Sequence, residues 1–483
     1  MSGPGRRAGL EEGIRAAVRS GRLAAGTWLP SSRGLAGDLG ISRGTVTAAY
    51  DQLVAEGWLV ARRGAGTQVA TARTVAVTPG SVALGRAQVA RTPLRGPAPR
   101  LDLRPGVPDL GTFPVDRWLQ ATRRAVARAP VGAFGYGDPR GRPELRAALA
   151  VYLGRTRGVM ADPEQIVVTN GYAHTLSLLG AALLAMGRSG VAMEDPCLPY
   201  HREVVRRSGH RVYPIAVDQR GLRPDLLVGA EAAPVTAVVT TAAHQYPTGV
   251  VLDPGRRRDL VRWAAATGAL VIEDDYDGEF RYDRQPVGAL QGTAPDHVAY
   301  AGTASKTLAP GLRLGWVVLP RELVEPVAEI RTYTDSSTDV ISQLTMAELV
   351  SSHAYDRHVR SGRLRYRRRR DLLVAELATL EPYRRMLGDR GIAAGLQMTV
   401  LLPPDGPGED EVIAAASAHG LALEGLRAHF HVPREDHPSA VVVGFATPSD
   451  RSYPAAVSLL RQVLAGDLSL AGRPARPPGV GEV

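Results

Sequence analysis

One lysine stands in a chain of 483 residues whose lysines and arginines together number 58. It is Lys306, in Thr303-Ala304-Ser305-Lys306-Thr307-Leu308-Ala309-Pro310-Gly311-Leu312-Arg313. Arginine can replace lysine wherever charge alone is needed, but a guanidinium stays protonated and cannot attack a carbonyl. A chain that uses arginine everywhere else and keeps one amine points to Schiff-base chemistry at that amine. Upstream, Val271-Ile272-Glu273-Asp274-Asp275-Tyr276 puts carboxylates and a phenol at the end of an apolar run that reads as a buried strand. Open α/β sheets bind ligands at such strand ends. A carboxylate there can pair with a pyridinium nitrogen and make the ring an electron sink. Thr303, Ser305 and Arg313 supply hydroxyls and a guanidinium at spacings suited to a phosphate. A carbonyl that forms an imine, a basic ring nitrogen and a phosphate together describe pyridoxal 5′-phosphate.

A second chemistry lies near the N-terminus. Ser42, Arg43, Gly44, Thr45 and Thr47 fall at the start of a helical pattern, where side chains can reach base edges in a DNA major groove. Arg43 suits guanine O6/N7 or a phosphate. Ser32 and Arg33 open the preceding helix, whose backbone amides can hold phosphate beside the guanidinium. Arg62 and Arg63 stand at the tip of a following hairpin, next to glycines that let backbone approach closely. The formal net charge of +10 fits an anionic partner such as nucleic acid.

These groups must be held by two kinds of unit. Helices expected over Gly9–Ser20, Arg33–Leu39 (capped by Ser31 or Ser32) and Arg43–Glu56 precede strands at Trp58–Ala61 and Thr67–Val69. Three helices and a hairpin make a winged helix-turn-helix over 1–70. Residues 71–100, rich in Ala, Val, Thr, Pro and Arg without a sustained period, read as a linker. From 101 to 470, apolar strands at Gln165–Thr169, Gly190–Met193, Thr236–Thr240, Ala269–Glu273, His297–Ala301 and Gly315–Leu319 alternate with helices. That alternation predicts an α/β domain with a mainly parallel sheet. The tail, 471–483, reads as disordered. Cys197 is the one cysteine, so no intrachain disulfide and no cysteine-cluster metal site can form. Leu176–Met186, the most apolar run, is too short to span a bilayer. No signal peptide is evident, so a cytoplasmic protein without membrane contact is expected.

Leu29-Pro30-Ser31-Ser32-Arg33-Gly34-Leu35-Ala36, Leu39-Gly40-Ile41-Ser42-Arg43-Gly44-Thr45-Val46, Glu56-Gly57-Trp58-Leu59 and Arg63-Gly64-Ala65-Gly66-Thr67 resemble the GntR-type winged helix. The Glu-Asp-Asp-Tyr strand end and the Ser-Lys segment with Arg313 resemble a fold-type I aminotransferase. The fusion of the two is similar to the MocR/GabR family of pyridoxal-phosphate-dependent transcription regulators. His244-Gln245-Tyr246-Pro247-Thr248-Gly249 and Gly135-Tyr136-Gly137-Asp138-Pro139-Arg140-Gly141 fit that family too. The resemblance implies that Lys306 carries the internal aldimine, Asp274 pairs with the pyridine nitrogen and Tyr276 bonds the ring hydroxyl. Asp275 is the alternative nitrogen partner, with the spacing to Tyr276 favouring Asp274. A ring should stack on the cofactor; Tyr200 is the candidate and Leu198 the alternative.

Departures from the aminotransferase pattern are informative. Tyr246 stands where Asn is usual. Tyr172-Ala173 replaces the usual phosphate-binding Ser-Gln. Val442 stands where an arginine usually holds a substrate carboxylate, unless Arg434 or another arginine substitutes. His174, His201 and His244 read as structural histidines near the cofactor loops. Arg363, Arg365 and Arg367 to Arg370 make a basic helix, either a solvated or dimer-edge face or a DNA-backbone contact. The expectation is a homodimeric regulator that binds operator DNA and senses pyridoxal phosphate, a small amine or amino-acid effector, or both, through the aldimine on Lys306. The alternative is an active aminotransferase with an accessory DNA-binding domain.

Overall fold

The computed structural model describes residues 6–62, 65–70, 99–227, 235–282, 287–387 and 394–468. Arg63, nearly all of the expected linker and the expected tail lie outside the described residues. The chain divides into two compact units, Met1–Leu94 and Arg95–Val483.

In the first unit, α1 (Arg6–Arg19), α2 (Ser32–Leu39) and α3 (Arg43–Ala55) precede an antiparallel hairpin of β1 (Leu59–Arg62) and β2 (Gly66–Val69). The start of α2 is fixed by Ser31, whose hydroxyl accepts from the Gly34 amide at 3.1 Å. Ser32 is therefore the first helical residue and not the cap. Gly40, at φ 60°, ends α2 in the left-handed region that glycine tolerates best. Ser42 then caps α3, accepting from the Thr45 amide at 3.1 Å. Val46, Tyr50 and Leu53 recur at helical spacing and bury one face of α3 against Ile14, Ala36, Leu59 and Val69. The Tyr50 hydroxyl donates to the Pro30 carbonyl at 3.0 Å, tying α3 to the segment that enters α2.

The second unit is built on one mixed sheet. Its strands are β3 (Ile166–Thr169), β4 (Gly190–Asp195), β5 (Arg211–Asp218), β6 (Ala237–Thr240), β7 (Leu270–Asp274), β8 (Val298–Thr303) and β9 (Gly315–Val318). They run in the order β3-β9-β8-β7-β6-β4-β5, and the short strand Gly221–Leu222 completes the β5 edge. β8, β7, β6, β4 and β5 are parallel, whereas β9 is antiparallel to both β8 and β3. β3, β6, β7, β8 and β9 are buried along their whole length. That is why they read as continuous apolar runs: helices cover both faces. Alternate residues feed opposite cores, Ile166, Val168 and Trp316 on one side and Val167, Val317 and Ile272 on the other. A smaller antiparallel sheet of Gln397–Leu401, Ala440–Gly444 and Glu424–Gly425 follows.

The basic run lies on the helix Ala354–Ala378, and much of it is tied to the protein itself. Arg369 is buried and bonds Asp109 and Asp450, both at 2.7 Å. Arg363 donates to the Glu279 carbonyl, and Arg365 pairs with Asp450. Among the described residues, no helix is long and apolar enough to cross a membrane.

Candidate functional site

The segments that follow β3, β4, β6, β7 and β8 converge on one cavity of ≈ 300 Å³ at the C-terminal ends of the parallel strands. Lys306, Asp274, Tyr276, Thr303, Ser305, Arg313 and Tyr200 all line it. The Lys306 amine donates to the Gly106 carbonyl at 2.7 Å. Burial pulls its pKa below the usual lysine value, against the attraction of Asp274 and Asp277. Burial also holds the Asp274 carboxyl well above its usual range, only partly offset by Lys306.

Strand alternation separates the two neighbouring acids. Asp274 lines the cavity. Asp275 is clamped in the interior by Arg157, with Nε–Oδ2 at 2.6 Å and Nη2–Oδ1 at 3.0 Å, and by the Tyr300 hydroxyl at 2.7 Å. The alternative nitrogen partner is thus committed to an internal ion pair. The Tyr276 hydroxyl accepts from Gln397 Nε2 at 2.6 Å and lies 3.1 Å from His244 Nδ1, which meets Asp277 at 2.8 Å.

Thr303 and Ser305 bond each other across the start of the β8–β9 loop, hydroxyl to hydroxyl at 2.9 Å. Arg313 donates to the Asn170 carbonyl at 2.6 Å, and a Cβ on Gly171 would lie 3.1 Å from its Nη2. Glycine is needed there twice over, for that approach and for its φ of 91°. Two buried polar atoms of residues lining the cavity, Asp274 Oδ1 and Tyr172 Oη, lack a hydrogen-bond partner among the described residues. Buried polar atoms are ordinarily bonded. A cationic ring N–H against Asp274 would satisfy its bare oxygen, and Thr303, Ser305 and Arg313 on the same cavity can take a phosphate, so the residues present fit pyridoxal phosphate.

Tyr200 sits at the start of the helix Pro199–Arg207 with 55% of its surface exposed. The candidate stacking ring is thus more than half exposed; Leu198 also lines the cavity, and the more enclosed rings there are Tyr172 and His201, packed edge to face at 4.7 Å. His201, a structural histidine by its sequence setting, has its Nδ1 3.9 Å from Asp274 Oδ2. Burial and Lys306 pull its imidazole down to about 3. His244 likewise backs Tyr276, while His174 accepts from the Asn170 amide at 3.0 Å and shapes the turn. Val442 is fully buried behind the cavity, packed with Leu426 and Phe430. Arg434 is exposed and paired with Asp436. Among the described residues, Lys306 and Arg313 are the only lysine or arginine side chains lining the cavity. Glu194, fully bonded to Thr240, Thr241 and Gln245, and Glu424 add acid to its wall. Glu424 carries no local sequence signal, since nothing in Leu423-Glu424-Gly425 distinguishes it.

In the first unit, α3 presents Ser42, Arg43, Gly44 and Thr47 to solvent, with Thr45 half-buried beneath them. Ser42 and Thr45 bond each other, hydroxyl to hydroxyl at 2.8 Å. Arg33 on α2 and Arg62 on β1 are exposed, and Ser32 is half-buried.

Residues 7–69 match the bacterial regulatory proteins of the gntR family, and residues 99–406 match aminotransferase class I and II. The chain is 35% identical to the HTH-type pyridoxine biosynthesis transcriptional regulator PdxR of Corynebacterium glutamicum, over 91% of each chain. It is 31% identical to the probable rhizopine catabolism regulatory protein MocR of Rhizobium meliloti, over 94% of this chain and 92% of that one. Among solved structures, an archaeal alanine:glyoxylate aminotransferase superposes with a TM-score of 0.67 at 25% identity, covering 76% of this chain and 91% of that one.

Proposed function

Because the chain belongs to the GntR-type transcription regulators whose winged helix is joined to an aminotransferase class I and II domain, the MocR/PdxR type, we propose that it is a pyridoxal-phosphate-dependent regulator controlled by a small amine. The observation that carries this reading is the convergence on one cavity of the chain's single lysine, a buried carboxylate with an unbonded oxygen, and Arg313. Pyridoxal phosphate, when bound, supplies a carbonyl that either Lys306 or an incoming primary amine can occupy. Lys306 would hold the cofactor covalently, and burial, by lowering its pKa, favours the neutral, nucleophilic form of the amine. Asp274 orients the ring through its nitrogen, with His201 behind it. Tyr276, polarised by Gln397 and His244, faces the ring hydroxyl. Thr303, Ser305 and Arg313 hold the phosphate.

On the DNA side, Arg43 and Thr47 read base edges. Ser42 and Thr45 fix the start of the reading helix, and Ser32, Arg33, Arg62 and Arg63 meet the backbone. The effector changes DNA affinity only by the difference between its affinities for the two states of the protein. Val131 and Tyr136, almost wholly exposed apolar residues flanking a Gly-rich turn, support self-association into a homodimer.

The test is the visible spectrum of purified protein with and without added pyridoxal phosphate, followed by borohydride trapping and mapping of the modified residue. The expected result is a yellow protein labelled at Lys306, and no label in Lys306→Arg. A colourless protein that takes up no cofactor refutes the reading. The aminotransferase likeness favours one rival, a working enzyme. Its sign would be multiple turnovers with an amino acid and a keto acid, against which the buried Val442 counts.

A further inference from the structure

The wall that an amine would meet is acidic where a carboxylate-bearing ligand would need a cation. Lys306 and Arg313 are the lysine and arginine of the cavity among the described residues, and both are taken up by the cofactor in the reading above. The small sheet contributes Glu424 instead, paired in register beside Val442.

The neighbours of Glu424 show what its carboxylate lacks. His429 is fully buried, with Nδ1 3.1 Å from the Gly425 carbonyl. A carbonyl can only accept, so Nδ1 carries a proton and donates to it. Nε2 lies 3.3 Å from the Tyr246 hydroxyl and 3.2 Å from Glu424 Oε1, so the imidazole meets one of the two carboxylate oxygens of Glu424. Arg104, which feels the charge of Glu424, is committed to Asp102 through bonds of 2.9 and 2.8 Å. Glu424 thus offers an acceptor to the cavity, with about a third of its side chain accessible.

We propose that Glu424 makes the cavity selective for primary amines bearing a second cationic or hydrogen-bond-donating group, a short diamine being the simplest, and that it disfavours amino acids. One amine enters beside Lys306; the other group donates to Glu424. A ligand carboxylate in the same place would meet the Glu424 carboxylate, and among the described residues the cavity lining offers no lysine or arginine beyond Lys306 and Arg313. This inference rests on the amine-sensing reading of the cavity.

The experiment loads the full chain with pyridoxal phosphate and records its absorbance. It then titrates in 1,4-diaminobutane or 4-aminobutanoate, a pair that differs at one end, by calorimetry. The diamine is expected to bind at least about tenfold more tightly, the scale of one charge-assisted hydrogen bond. Glu424→Gln should weaken the diamine by roughly tenfold to a hundredfold and narrow the gap between the two ligands. Equal or tighter binding of 4-aminobutanoate, no binding of either ligand to loaded protein, or a Glu424→Gln variant with undiminished diamine affinity would each overturn the proposal. Failure to load cofactor at all counts instead against the cofactor reading. The wild-type comparison decides even where the variant does not fold.

Discussion

Two adjacent carboxylates, Asp274 and Asp275, should give opposite results when each is changed to asparagine. Asp275 is almost wholly buried and receives three bonds, two from Arg157 and one from Tyr300. Asp275→Asn leaves the buried Arg157 guanidinium without its counter-charge, and breaking a buried pair this way costs about 3–5 kcal/mol. Asp274 Oδ1 has no partner among the described residues, and Oδ2 lies 3.9 Å from His201 Nδ1, too long for a hydrogen bond. Asp274→Asn therefore removes no internal hydrogen bond. Burial also raises the pKa of this carboxyl. An acid raised in the folded state makes stability fall as pH rises from its unfolded pKa toward its folded one. At neutral pH the asparagine variant should thus be at least as stable as the parent. Cofactor binding should move the other way. Loss of a charge-assisted bond to the ring nitrogen removes about 1.5–3 kcal/mol, roughly tenfold to a hundredfold in affinity. The assay is paired: urea midpoints of the cofactor-free proteins, and absorbance titration with pyridoxal phosphate. If Asp274→Asn costs as much stability as Asp275→Asn, or binds cofactor as the parent does, the assignment of the two acids is wrong.

Other perturbations test separate parts of the structure. Arg43→Ala should weaken operator binding and relax specificity by about 1–3 kcal/mol at one base pair, read by footprinting on mutated operators; an unchanged base preference removes Arg43 from the reading set. Gly171→Ala forces a positive φ on alanine and crowds Arg313. It should cost about 1–3 kcal/mol of stability and weaken pyridoxal phosphate more than it weakens the phosphate-free aldehyde pyridoxal. His201 has its folded pKa pulled to about 3 from 6.5. The stability of its neutral form is fully present above the unfolded value and is lost as pH falls from 6.5 toward 3. His201→Asn should therefore narrow its stability gap to the parent, or reverse it, across that window, measured as urea midpoints against pH; a pH-independent difference would contradict the burial of the ring.

The sheet was legible because its strands are covered on both faces and spell short β-branched runs. All six expected strands occur, each shifted by a residue or two at one or both ends. The winged-helix elements follow from their caps, although Ser31 and Ser32 are chemically equivalent and only backbone geometry assigns the cap to Ser31. Alternation along β7 could in principle have separated Asp274 from Asp275, since neighbours on a strand face opposite sides. The loop after β4 resisted. No period governs Cys197-Leu198-Pro199-Tyr200-His201, so neither the exposure of Tyr200 nor the approach of His201 to Asp274 could be read from it. Arg369 shows the same limit at longer range. Its partners Asp109 and Asp450 come from distant segments, and a basic surface and a buried ion-pair network have the same local sequence.

Lys306 and Arg313 occupy one loop, and the loop is clasped at its base by the pairing of Thr303 with Gly315 between β8 and β9. Its two ends are fixed to a single rung of the sheet, so the loop has little freedom to change length. One inserted or deleted residue would shift Arg313 relative to Lys306 while leaving the strands intact. The phosphate and the amine would then no longer be addressable by one rigid molecule. In the proposed reading the separation between the two groups would act as a ruler for the cofactor, set by backbone count and not by side-chain choice. Because β9 also pairs with β3, which leads into Gly171, the same rung carries the Asn170–Gly171 turn that Arg313 bonds. A pull on Lys306 is therefore a pull on the whole clasp, and the loop, β9 and the Asn170–Gly171 turn would respond as one lever.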